Sequence, residues 1–242
     1  MSSLQGESLI SHLIELRNRL LWVVLAFVVV FFIGLYFANP LYSWLTAPLI
    51  KISPAGLIST GVTAPFVILM KIAALVAFVL TLPHTLYQIW AFVAPGLYAH
   101  EKRLVLPFII SATVLFLIGM AFAYFFVFGM VFKFIAAIIP PNMRWTPDSA
   151  AYFEFILNMF FMFGLTFEVP VAVVLLAKLG VVPVTKLKTA RPYVIVGAFA
   201  VAAVVTPPDV ASQLMLAIPL WWLYELGVVA AGIMVRPKPT RE

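Results

Sequence analysis

From Leu20 to Ala38 the chain runs without a single charged side chain and is apolar on every face of a helix. An α-helix rises about 1.5 Å per residue, so about 20 apolar residues cross the roughly 30 Å hydrocarbon core of a bilayer. Comparable runs recur along the whole length. Spans are expected at about Leu20 to Ala38, Pro65 to Leu82, Leu104 to Phe132, Ala150 to Ala177, Pro192 to Val205 and Val210 to Val235. In hydrocarbon every backbone N–H and C=O must be paired within the protein, which leaves helices and closed barrels. A barrel strand would alternate apolar and polar residues, and these runs do not. The fold class that follows is all-α, a polytopic membrane protein of six spans forming one integral membrane domain over residues 1–242. Composition excludes the soluble alternative: 64% of the 242 residues are apolar, 10% are charged, and mean hydropathy is +1.13. That is too little charge to cover a water-facing surface.

A net charge of +6 could suggest nucleic acid, but the cations are dispersed and sit beside span ends. They read as topology signals and as contacts with membrane lipid headgroups, so no nucleic acid partner is expected. Arg17, Arg19, Lys102, Arg103, Lys178, Lys186, Lys188, Arg191, Arg236, Lys238 and Arg241 fall in one class of connection, against Lys51, Lys133 and Arg144 in the other. Cytoplasmic connections carry the excess of Lys and Arg, so both termini are expected in the cytoplasm, the short tail 236–242 included. Leu9, Ile10, Leu13, Leu16 and Leu20 recur at helical spacing among Glu7, His12, Glu15, Arg17 and Arg19, which predicts a cytoplasmic amphipathic helix over 1–19 at the interface. Glu7 and Glu15 ahead of the first apolar run, with no small-residue cleavage site soon after it, argue against a cleavable signal peptide.

The fifth span is anomalous, because 14 residues from Pro192 to Val205 make only about 21 Å of helix. Thr206-Pro207-Pro208-Asp209 predicts a tight turn into the sixth span, the prolines being unable to continue a helix. Lys188 and Arg191 snorkelling to headgroups, or local thinning of the bilayer, would accommodate the short hairpin. The outer connections, Asn39 to Ala64 and Ile138 to Ser149, are rich in Pro, Gly and Ser yet retain Leu41, Trp44, Leu45 and Ile50, which suggests ordered caps with short helices. Pro48 and Pro65, with fixed φ, would stiffen the first of them.

Carboxylates within spans cost roughly 2.5–3.5 kcal/mol on insertion scales, so each asks for a reason. Glu168, followed by the helix-breaking Pro170, is a candidate polar point on a concave intramembrane groove, or else a carboxyl that packs helices. Gln213 and Glu225, 12 residues apart on the sixth span, point to similar faces and are candidates for the same groove. Helix-to-helix hydrogen bonding accounts equally for Gln213, and Glu225 lies near enough to the cytoplasmic end to reach water. Lys71 and Lys133 would snorkel or pair with an acid. His12, His84 and His100 show no metal-ligand spacing and the chain has no cysteine, so no metal and no cofactor are expected. No nucleophile elbow, HExxH helix or phosphate loop is present, which argues against an enzyme.

Several segments resemble the TatC family, the signal-peptide receptor subunit of the twin-arginine protein translocase. They are Ser11-His12-Leu13-Ile14-Glu15-Leu16-Arg17-Asn18-Arg19-Leu20; Leu86 through Tyr98 followed by His100-Glu101-Lys102-Arg103; Ala47-Pro48-Leu49; Phe167-Glu168-Val169-Pro170; and Thr206-Pro207-Pro208-Asp209 running to Gln213 and Ala217-Ile218-Pro219. The resemblance implies a curved, glove-like six-span receptor in a bacterial cytoplasmic (inner) membrane or an equivalent energy-transducing membrane. It would bind twin-arginine signal peptides of folded cargo at the cytoplasmic face, and join single-span TatA- and TatB-type subunits in a multimeric complex. By position it nominates Glu15 and Glu101 as the acids nearest the arginine pair, with Arg17 and Arg19 beside them and Phe92 and Pro95 shaping the loop. It nominates Pro48 and Asp209 as structural loop residues and Glu168 as the polar residue on the concave face. Lys102 stands where the family commonly has arginine.

Two carboxylates can prefer arginine over lysine, because a planar guanidinium donates to both oxygens while an ammonium is a point charge. The residues alone leave another account open: Glu15 pairs with Arg19 at i, i+4, and Glu101 is an N-terminal helix charge. The competing function is a proton-coupled small-solute transporter using Glu168 and Glu225, although no internal repeat of the transporter kind is present.

Overall fold

A computed structural model describes residues 2–53, 56–93, 105–140, 143, 145–205 and 210–234, with only the backbone for 2–11, 93, 205, 211, 212 and 215. The described chain is helical, and its one non-helical pairing is an isolated bridge between Ile58 and Asp148. The helices are α1 (Ser2–Tyr36), α2 (Ala38–Ile50), α3 (Ala64–Val93), α4 (Val105–Phe122), α5 (Phe128–Ile138), α6 (Ser149–Phe167), α7 (Val169–Lys178), α8 (Val184–Thr189), α9 (Arg191–Val205) and α10 (Val210–Met234). A π-helical turn, Ala123–Val127, joins α4 to α5.

Among the described residues, five stretches are long and apolar enough to cross a membrane: His12–Tyr36, Ala64–Phe92, Val105–Ile138, Ser149–Lys178 and Leu216–Met234. α9 has 15 residues, about 22 Å, and is the short apolar helix expected between the fourth span and the last. The interfacial helix and first span expected as neighbours are one element, since α1 has no break between Ser2 and Tyr36. Leu20, Leu25, Val29 and Phe32 on α1 are each more than half exposed, which suits hydrocarbon and no other solvent. Asp209, Pro95 and Glu101 lie outside the described residues.

The contacts group into two compact units. In the first (Met1–Lys51, Ala55–Thr113 and Thr146–Glu154), α1 packs along α3. Gly34 makes the close approach possible: a Cβ there would stand 3.2 Å from the Ala73 carbonyl oxygen. Lipid tails are as apolar as leucine, so helices in a bilayer associate through such close packing rather than through expulsion of water. The connection after the first span contains a short helix, α2. Pro48 lies inside α2, half-buried, and the Tyr152 hydroxyl of α6 donates to the Leu45 carbonyl three residues before it at 2.8 Å. Tyr42 stacks on Phe153, centroids 5.0 Å apart.

Asp148 locks the same end. Its Oδ1 accepts the Ala150 and Ala151 N–H at 2.9 and 3.1 Å, which caps α6, while Oδ2 accepts the Thr60 N–H at 3.1 Å and the Thr60 hydroxyl at 2.7 Å. Ile58 N–H to Pro147 O and Ser149 N–H to Ile58 O complete the junction. The Thr60 hydroxyl first, then the backbone N–H groups, holds the Asp148 carboxyl below the usual carboxylate range.

The second unit comprises Ile52–Pro54, Val114–Trp145 and Phe155–Glu242. Gly119 on α4 meets Gly164 on α6: a Cβ on Gly119 would stand 2.5 Å from Phe163 O, and one on Gly164 would fall on the Phe116 ring. Around this crossing Phe122 packs on Phe163 and Phe167, and Phe128 on Phe155 and Phe160. Glu168 is the single non-helical residue between α6 and α7, where Pro170 supplies no N–H to continue the ladder. α10 lies against α7 with Gly227 at the contact, where a Cβ would stand 2.8 Å from Pro170 Cα.

Candidate functional site

On α1, His12, Glu15, Arg19 and Trp22 fall at i, i+3, i+7 and i+10, one stripe of the helix, which faces the last turns of α3. Between them lies an open cleft of about 560 Å³ lined by Ile14, Glu15, Asn18, Arg19, Trp22, Tyr87 and Gln88. Glu15 is its one acid among the described residues. Glu15 Oε1 accepts two N–H bonds from Arg19, Nε at 2.9 Å and Nη2 at 2.6 Å, and Arg19 Nη1 donates to Gln88 Oε1 at 3.2 Å. The other carboxylate oxygen faces His12 Nδ1 at 3.8 Å, beyond hydrogen-bond range. His12 in turn stacks on Phe92, centroids 4.2 Å apart, so Phe92 ties the end of α3 to α1 two turns from Arg19. Arg17 is exposed and, among the described residues, donates to its neighbour Asn18, at 3.4 Å from Nε and 3.3 Å from Nη2.

The stripe brings together three nominated residues, Glu15, Arg19 and Phe92, and leaves Arg17 outside the cleft. His12 and Gln88 join them without having been assigned a role. In the sequence His12 reads as part of the polar face of the N-terminal helix and shows no metal-ligand spacing. Gln88 was legible only as an amide in the midst of a recognisable motif.

The membrane-embedded candidates divide. Glu168 Oε1 is buried and has no hydrogen-bond partner among the described residues, an uncommon state for a polar atom inside a protein. Gln213 Nε2 donates to Phe199 O at 3.2 Å, linking α10 to α9. Glu225 is engaged by Arg191 at the start of α9, Nε to Oε2 at 2.9 Å and Nη2 to Oε1, and beside it the Tyr224 hydroxyl donates to Leu187 O at 2.7 Å. Arg191, for which the sequence offered contact with headgroups as one of two ways to accommodate the short hairpin, forms a two-pronged ion pair and stays 40% exposed. Pro48 sits within α2 at the Tyr152 clamp. Asp148 and Thr60 were not foreseen, although Asp148 directly ahead of a helical apolar run carries the signature of an N-cap.

Together these features define a class: a multi-pass helical membrane protein with a polar, acid-containing cleft where α1 meets the last turns of α3, and a carboxyl oxygen in its embedded segments that is unpaired among the described residues. A family model described as Sec-independent protein translocase protein (TatC) matches residues 11–219. Sec-independent protein translocase protein TatC of Escherichia coli K12 is 47% identical over 100% of this chain and 95% of its own length. The TatC of Aquifex aeolicus is 37% identical over 95% of this chain and 97% of its own. A crystal structure of a twin-arginine translocase receptor, TatC, superposes with a TM-score of 0.77 at 38% identity, covering 93% of this chain and all of that one. The chain belongs to the TatC family. It is therefore a multi-pass membrane component of a protein translocase, with a transport role rather than a catalytic one, and the solute-transporter reading is not favoured.

Proposed function

We propose that this chain is the receptor and core subunit of a twin-arginine translocase, and that the α1–α3 cleft receives the arginine pair of the signal peptide, with Glu15 as one acceptor and Glu101 as the other. The observation that carries this reading is the Glu15 carboxylate: it lines an open cleft and keeps one oxygen without a hydrogen bond among the described residues. A guanidinium can present parallel N–H groups to such a carboxylate, and each charged hydrogen bond contributes roughly 1.5–3 kcal/mol when partly shielded. Phe92 and Pro95 shape the loop that follows α3, and Arg17 and Arg19 sit on the same helix as Glu15. The apolar part of the peptide then lies in a groove near Glu168, to which Gln213 and Glu225 are candidate contributors; Pro48 and Asp209 serve as structural loop residues.

The excess of Lys and Arg on one set of connections supports cytoplasmic termini in a bacterial inner membrane or an equivalent energy-transducing one. The exposed apolar faces, α1 above all, suit lipid and the single-span TatA- and TatB-type partners of a multimeric complex. The test is export of a folded reporter bearing a twin-arginine leader from cells that carry only Glu15→Ala/Glu101→Ala. Loss of export with the receptor still inserted at normal abundance is expected; unimpaired export would overturn the assignment.

A further inference from the structure

Phe122, Phe126, Gly129 and Lys133 fall at i, i+4, i+7 and i+11, a stripe that passes through the π-helical turn into α5. With Leu216 and Pro219 of α10 they line an open groove of about 520 Å³ within the second unit. The 11 residues from Phe122 to Lys133 advance about 16 Å, close to half of the roughly 30 Å hydrocarbon core, so the groove is one leaflet deep. Lys133 lies five residues from the C-terminal end of α5, about 8 Å, which puts its ammonium within reach of the headgroups on that side.

This cation is unbalanced. Lys133 is exposed and, among the described residues, makes neither a hydrogen bond nor an ion pair, although a charge within a span calls for an anion or water at its head. Gly129 leaves room beside it. A glycine inside a helix is destabilising relative to alanine, and here no neighbour requires one, since a Cβ would meet nothing within 4 Å; what it leaves is depth in the groove. The π-helical turn, a device often found at functional positions, places Phe125 and Phe126 along the same groove, each 68% exposed.

The occupant that fits is apolar over the depth of one leaflet and anionic at the Lys133 end. A helix about 10 Å across would need more than twice this volume to enter over the same length, whereas an acyl chain is a single file of methylenes. We propose, independently of the receptor reading, that the groove holds an acyl chain of an anionic phospholipid whose phosphate is bound by Lys133. Lysine, a compact point charge, suits a phosphate that offers several oxygens and no single plane. An anionic headgroup keeps that attraction whole, while a choline headgroup brings a cation of its own to the same place. The lipid is thereby a selected ligand, unlike the fluid lipid over the exposed face of α1.

The chain has no cysteine, so one label can be placed at will. The experiment puts a fluorophore on Phe125→Cys at the groove and, separately, on Phe32→Cys, 66% exposed on α1, in full chains reconstituted in nanodiscs. Quenching is titrated with phosphatidylglycerol or phosphatidylcholine brominated on the acyl chain. At position 125 phosphatidylglycerol should quench at a roughly fivefold lower mole fraction than phosphatidylcholine, the preference that one lysine near a headgroup supplies, and at position 32 the two should match. Lys133→Gln, which removes the charge, and Gly129→Leu, which fills the groove, should each bring the ratio at position 125 close to one. Unchanged melting temperatures would show that both variants keep the fold. Equal quenching by the two lipids in the wild-type background, or a preference that survives either substitution, would overturn the site. A groove label quenched by neither lipid would give the groove to protein and overturn it equally.

Discussion

Arg191 and Glu225, 34 positions apart, meet as a planar donor on a planar acceptor, with Nε on Oε2 at 2.9 Å and Nη2 on Oε1. Their side chains are 40% and 29% exposed, so the pair lies between a surface ion pair of small effect and a buried one whose rupture costs several kcal/mol. Removing one partner by Glu225→Ala should destabilise the chain by about 1–3 kcal/mol. The double variant Arg191→Met/Glu225→Met should be distinctly milder than the sum of its parts, because it leaves no orphaned charge. Thermal unfolding of the three variants in detergent tests this, and strictly additive losses would show that the two side chains do not support each other.

Asp148 predicts an acid-sensitive junction. Its carboxyl is held below the ordinary value, chiefly by the Thr60 hydroxyl, so the folded chain binds this proton less readily than the unfolded one. The stabilisation is therefore fully present above the unfolded carboxylate value of 3.8, and is lost as pH falls from there through the lower folded value. Asp148→Asn, which keeps an acceptor but not the charge, should flatten that acid limb. Superimposable melting curves for wild type and variant between neutral pH and pH ~3 would contradict the junction's role.

The Gly119–Gly164 crossing predicts a steep local cost. A Cβ at position 119 would stand 2.5 Å from a backbone oxygen, which cannot rotate away, whereas Gly129 on α5 has nothing within 4 Å. Gly119→Ala should destabilise by about 1–3 kcal/mol through forced separation of α4 and α6, and Gly129→Ala should be neutral or slightly stabilising. Equal melting temperatures for the two variants would mean that the helices do not depend on this contact.

Glu168 predicts a conflict between stability and transport. Its Oε1 is buried without a partner among the described residues, and an unsatisfied polar group costs about 1–3 kcal/mol. Glu168→Met should therefore raise thermal stability while lowering export, as expected of a residue kept for function rather than for packing. A variant that loses both would show that the carboxyl is a structural tie.

The spans were legible because a bilayer permits few solutions: long charge-free runs become helices, and the short α9 is visible as a short run. What the sequence hid is long-range. Asp148 and Thr60 lie 88 residues apart, Arg191 and Glu225 34, and no periodicity connects them. Glu225 was placed on a groove by its 12-residue spacing from Gln213, yet spacing along one helix says nothing about a cation on another. The π-helical turn at Ala123–Val127 was equally invisible, since a helix that is apolar on all sides carries no phase for an extra residue to disturb. The continuity of α1 was readable in hindsight, because neither glycine nor proline interrupts residues 11–33. At the cleft the sequence left Glu15 with two readings, ligand acceptor or partner of Arg19. The structure places Glu15 on Arg19 and within the cleft together.

The most direct test of the account measures how tightly the chain in nanodiscs binds a peptide with paired arginines ahead of an apolar stretch, against its double-lysine twin, before and after Glu15→Gln. A clear preference for arginine that collapses in the variant is the predicted result. Equal affinity for both peptides, or a preference untouched by the variant, would contradict the claim that Glu15 in the α1–α3 cleft reads the twin arginine.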